Sequence, residues 1–224
     1  ETVSNAPLVT VALDIECMAT RPGVFCTADV DPIIQIACVK TVYGQAEEEA
    51  TVFVLDTCDP IDGVAVHTFA QERDLVAAFF AYVDEHKPDV ITGYNSSAFD
   101  LPYIFQRRAR WRLGPYYSHK DKKALVTERV QTAASKQAGG RERHVWDWAG
   151  CVVLDVLEVV RAAYKLNSYK LNDVARRFLD EQEKEDLPYS EIPRLQKGSA
   201  ADRARMARYC VQDTRLVVLL IAKL

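Results

Sequence analysis

The sequence predicts one α/β domain on a mixed β-sheet, and three observations predict it. Three apolar, β-branched runs follow one another with short links, at residues 8–15, 33–39 and 51–55. A strand–helix alternation comes next, and a long amphipathic stretch closes the chain. At 224 residues, 49% hydrophobic and 27% charged, the chain is large enough to bury a sizeable core as a single unit.

The first run, Leu-Val-Thr-Val-Ala-Leu-Asp-Ile, reads as a strand buried on both faces. Polar or turn-rich stretches around Pro22-Gly23 and Gly44 join it to the next two, giving an antiparallel meander. Residues 71–86 space Leu75, Phe79, Tyr82 and Val83 as a helix does, and Pro88 stops it. Residues 90–92 form a short buried strand running into Gly93. Residues 100–111 are helical, with Leu101, Ile104 and Phe105 on one face and Gln106, Arg107 and Arg108 opposite. Pro102 is tolerated in the first turn.

Between residues 120 and 150 the pattern loosens. Residues 126–132 and 141–148 pair as a possible hairpin, with Gly139-Gly140 near its turn. Residues 151–155 return to a strand, helices cover 156–164 and 171–179, and the acidic, Pro-containing stretch 181–193 reads as a loop. A last helix starts near Ser199, an N-cap with Asp202 three residues on.

The net charge of −4 argues against a surface that grips duplex DNA by its phosphates. It leaves room for an enzyme that holds a few nucleotides in a cleft where metal ions supply positive charge. Six scattered cysteines form no CxxC pair and no zinc-spaced cluster, and read as reduced, buried small side chains in an intracellular setting. No apolar run is long enough for a membrane span, and no signal peptide opens the chain.

Chemistry is suggested by where the acids fall. Asp14 and Glu16 end an otherwise apolar strand, and their i, i+2 spacing points both carboxylates to one face. Two like charges side by side are costly to bury unless something positive offsets them, and a hard divalent cation does so directly. Asp100 follows a buried strand and a glycine turn, at the start of a helix. Tyr209 and Asp213 share a helical face beside Met206, Leu216 and Val217. Each has a plainer reading: a strand end facing water, a helix cap, a tyrosine–aspartate hydrogen bond.

Taken in order, these residues resemble the three motifs of the DEDD exonucleases. Asp14-Ile15-Glu16 looks like the first, Asn95 through Phe99-Asp100 like the second, and Tyr209 with Asp213 like the third. The tyrosine four before the last acid resembles the DEDDy branch; the DEDDh branch has a histidine five before it, where this chain has Arg208. Three further stretches, at residues 31–36, 89–95 and 166–172, look like the proofreading domain of family B DNA polymerases, of the delta or large DNA virus type.

That resemblance implies an RNase H-like mixed sheet, three antiparallel strands plus parallel ones, flanked by helices. It implies one exonuclease domain over residues 1–224, with a possible hairpin insertion at about 120–150. With Glu1 at the start and no polymerase motifs, the chain reads as an excised domain without polymerising activity. Two Mg²⁺ or Mn²⁺ ions are implied, with Asp14, Glu16, Asp100 and Asp213 as ligands and Tyr209 positioning the nucleophile. Asn95, Phe99 and Tyr103 are candidate contacts to single-stranded DNA or a frayed primer 3′ end; core packing and turn formation are their plainer roles. For Arg107, Arg108 and Arg110 a solvated helix face outranks phosphate contact. The implied partner is the rest of a family B polymerase, with no membrane, in the nucleus or at a site of viral DNA replication. An RNA-trimming relative and a non-catalytic binding module are the alternatives. Retention of all four acids argues against the second.

Overall fold

The computed structural model describes residues 6–21, 23–133, 141–179 and 187–224. The expected turns at Pro22 and Gly139-Gly140, and the first part of the 181–193 stretch, lie outside them. Its frame is a six-stranded sheet. In chain order the elements are β1 (Val9–Cys17), β2 (Ile33–Val42), β3 (Glu48–Leu55), β4 (Val64–Phe69), α1 (Glu72–His86), β5 (Val90–Gly93) and α2 (Asp100–Arg110). A hairpin of β6 (Thr127–Ala133) and β7 (Arg141–Asp147) follows. Then come β8 (Val152–Asp155), α3 (Val156–Ala163), α4 (Leu171–Leu179), a 3₁₀ turn (Tyr189–Glu191), α5 (Ile192–Lys197) and α6 (Ala200–Lys223).

The strand order is β4-β3-β2-β1-β5-β8. β1, β2 and β3 pair antiparallel, as the meander predicts, while β4 joins β3, and β5 and β8 extend from β1, in parallel. The expected RNase H-like mixed sheet is thus present. Edge strand β4 escaped the sequence, as did the 3₁₀ turn within the stretch read as a loop and α5, which begins at the end of that stretch.

Alternation along β1 sorts its side chains between two layers. Val11, Leu13 and Ile15 join the core shared with α1 and α2. Ala12, on the other face, packs among Val217 and Leu220 of α6 and Val156 and Val160 of α3. Asp14 and Glu16 continue that second row, so both carboxylates are aimed at the layer that contains α6. A register shift between Glu16 and Cys17 marks a bulge where the acids leave the ladder.

Helix α6 starts with a complete capping box. Asp202 N–H donates to Ser199 Oγ at 3.2 Å, and Ser199 N–H donates to Asp202 Oδ2 at 2.8 Å. Its N-terminal half is stapled by buried Arg203, which donates to Gln196 O at 3.0 Å and Gly198 O at 2.8 Å, and also to Thr57.

The β6–β7 hairpin pairs in register from Thr127↔Asp147 to Ala133↔Arg141. Two tryptophans fasten its base. Trp146 donates its indole N–H to Ser97 O at 3.0 Å, and Trp148 donates to His119 Nδ1 at 3.2 Å.

Candidate active site

Helices α2 and α6 converge on the end of β1. One ligand atom each from Asp14, Glu16 and Cys210 lies within 4.8 Å of the others. Cys210 donates its thiol to Asp14 Oδ2 at 3.3 Å, joining positions 196 residues apart in the chain. This thiol escaped the sequence reading, which treated it as a small hydrophobe; its place three residues before Asp213, on the same helical face, was the available signal. Burial, then the charges of Asp14 and Glu16, push the Cys210 thiol well above its ordinary range.

Asp100, only 3% exposed, accepts from the backbone N–H of Ile15 at 3.1 Å, between the two acids of β1. Burial first, and the charge of Asp14 second, push its carboxyl well above the ordinary carboxylate range. Asp14 and Asp100 are therefore close enough to repel. Asp213 is buried on α6, one turn beyond Tyr209 and beside buried Thr214, whose hydroxyl donates to Cys210 O at 2.9 Å.

Close backbone approach makes this convergence possible. A Cβ at Gly93 would stand 2.8 Å from the Leu13 carbonyl and 2.5 Å from Ser96 Cβ. Only glycine lets β5 turn away beside β1 here. The following loop is gathered by Asp155, whose side chain accepts from Asn95 N–H at 2.9 Å, Ser97 N–H at 3.0 Å and Leu157 N–H at 3.0 Å. Asp155 was absent from the sequence candidates, although its setting, an acid between an apolar strand and a helix, resembles that of Asp100. It caps α3 and shapes the Asp100 loop together.

The remaining candidates divide. Asn95 adopts a left-handed φ of 64° and its carbonyl accepts from Ala98 and Phe99, so its backbone makes the turn while its side chain is exposed. Phe99 is half-buried beside Glu16, lining a cleft with Phe25, Tyr189 and Ile192. Tyr103 is 4% exposed, and its hydroxyl donates to Asp31 O at 2.9 Å, within the core. Tyr209 is half-buried against Met206 and Leu195, and lines an open pocket with Arg205, Arg208 and Gln212.

Arg107 departs from the solvated face expected of it. It is buried and ion-paired with Glu72, at 2.7 Å from Nε to Oε1, and donates to Ala28 O at 2.9 Å. Arg108 lies over the Phe80 ring at 4.3 Å.

The donor set fits a divalent cation: hard carboxylate oxygens converge at a strand end, and a neighbouring carboxyl is raised by burial and like charge. Comparison with known proteins agrees with that chemistry. Residues 1–174 match the model for the DNA polymerase family B exonuclease domain. The chain is 44% identical over 224 residues to the DNA polymerase delta catalytic subunit of Caenorhabditis elegans, covering 98% of this chain and 20% of that protein. Its counterparts in Drosophila melanogaster and Schizosaccharomyces pombe are 40% and 38% identical, with the same coverage. The chain thus spans about a fifth of the length of these relatives. Exonuclease domains of this family use divalent metals, and on this evidence the chain belongs to the family B DNA polymerase exonuclease domains.

Proposed function

We propose that this chain is a 3′→5′ exonuclease that removes nucleotides from a single-stranded or mispaired DNA 3′ end, the proofreading activity of a family B polymerase. One observation carries the reading. Asp14 and Glu16 of β1 meet α6 at Cys210, while Asp100 reaches across from α2 to bond the residue between them. Carboxylates drawn from far-separated parts of the chain into one pocket suit phosphodiester hydrolysis assisted by two Mg²⁺ or Mn²⁺ ions.

When bound, such a pair supplies the Lewis acidity that activates water and stabilises the departing 3′ oxygen. The chain's own residues hold and aim. Asp14 would be a ligand to both ions, Glu16 and Asp213 would help hold the ion that activates water, and Asp100 would support the other. Tyr209 would orient the nucleophile by a hydrogen bond. Phe99, beside Glu16, offers a face for the terminal base. The single domain, hairpin included, works within the longer polymerase that its relatives represent, on a primer strand in the nucleus.

The test uses matched 5′-labelled DNA and RNA oligonucleotides, with Mg²⁺ and with EDTA. Stepwise loss of 3′ nucleotides from DNA, abolished by EDTA, is the expected result. Preferential trimming of RNA would move the reading to an RNA-processing relative. Binding of DNA without any cleavage would leave a scaffold.

A further inference from the structure

An aromatic cleft opens beside Glu16, bounded by Phe25, Cys26, Phe99, Tyr189 and Ile192. Its outer wall is unusual. Phe25 sits on the connection between β1 and β2 and is 67% exposed, a costly position for so large an apolar ring. Phe99 contacts it from one side, with centroids 5.5 Å apart and planes at 56°. Tyr189, from the 3₁₀ turn before α5, stacks on it from the other, at 6.1 Å and 21°.

Tyr189 also holds the residues on both sides of Phe25, one by its backbone and one by its side chain. Its hydroxyl donates to Val24 O at 2.9 Å and lies 3.3 Å from Cys26 Sγ. A single hydroxyl thus clasps the residue before and the residue after an exposed ring. Tyr103 holds the far end of the same connection by donating to Asp31 O at 2.9 Å. A rigid aromatic ring exposed at the mouth of a cleft suits stacking of a nucleobase, because the ordering cost is met before the ligand arrives.

We infer that Tyr189 is a positioning residue: its hydroxyl clasp holds Phe25 as the outer wall of the cleft beside Glu16, and so sets the binding of the 3′-terminal base. This rests on the exonuclease reading above. Tyr189 touches no reacting atom. Its effect is carried through Phe25, so substrate binding depends on it and the chemical step does not.

The test compares the 224-residue chain with its Tyr189→Phe and Phe25→Leu variants on single-stranded oligonucleotides carrying 2-aminopurine at the 3′ end. Tyr189→Phe keeps the ring and loses only the clasp. It is expected to raise KM about three- to ten-fold with kcat within about two-fold, the size of a lost hydrogen bond. Stacking is read independently of cleavage, as quenching of 2-aminopurine on binding in EDTA, and both variants should weaken that quenching. The thermal midpoint of Tyr189→Phe should match the parent's. Parent-like KM and quenching in Tyr189→Phe would overturn the inference, as would a fall in kcat accompanied by a lower thermal midpoint. If the parent quenches 2-aminopurine in EDTA but releases no nucleotide in Mg²⁺, the exonuclease reading fails while the clasp stands.

Discussion

Glu72 and Asp100 are equally hidden carboxylates, 5% and 3% exposed, but their neighbours treat them in opposite ways. Glu72 receives the Arg107 guanidinium on both oxygens, the Trp111 indole N–H at 2.8 Å and the Ile33 N–H at 2.8 Å. Asp100 receives the Ile15 N–H, and the strongest influences on it are burial and the like charge of Asp14. One acid has a cation built into the fold and ties β2, α1 and α2 together. The other sits where its ionised form is disfavoured, the usual mark of a working carboxylate. Burial alone therefore does not separate an acid neutralised within the fold from one that faces another acid; the sign of the nearest charge does.

The comparison breaks first on activity. Asp14→Ala or Asp213→Ala is expected to lower nucleotide release from single-stranded DNA by about a thousand-fold or more while circular dichroism stays parental. Asp100→Asn should also lose activity, yet stabilise the metal-free protein. A carboxyl whose folded pKa is raised costs stability once ionised, so the gain should be seen in urea melts near neutral pH and vanish in acid. Arg107→Met inverts the pattern. It strands the Glu72 charge and should cost about 3–5 kcal/mol in urea denaturation, with kcat retained in whatever fraction stays folded. Mg²⁺ at a hundred times its Kd should stabilise the parent by about 2.7 kcal/mol, a shift that EDTA reverses and that Asp14→Ala abolishes. The smallest effect is expected from Trp146→Phe. Losing the bond to Ser97 O should cost about 0.5–1.5 kcal/mol, measured by the same denaturation.

Much of this was legible in the sequence because local pattern and site coincide. Asp14 and Glu16 interrupt an apolar strand at i, i+2, and Ser199 with Asp202 spells out a capping box, so strand, face and helix start could each be read directly. What escaped was set by tertiary context. Strand β4 is an edge strand, half-exposed along its length, and shows little of the apolar run that betrays a buried one. Helix α5 is short and has Pro193 in its first turn, where proline starts a helix rather than breaks it. Arg107 shares a helical face with buried Tyr103 and Ile104, but its charge masked this, and Glu72 lies 35 residues away. Cys210 looked like a core residue until α6 was laid against β1.

That helix carries a consequence for how activity is lost. Ser199, Arg203, Tyr209, Cys210 and Asp213 all ride on one rod anchored at its start, and each residue turns the rod by about 100°. Slippage by a single position would turn Cys210 away from Asp14 and carry Asp213 off the helical face it shares with Cys210. Catalytic competence should consequently behave as an all-or-none property of the final docking of α6. Nuclease assays during refolding would then report that docking event, with no partially active species along the way.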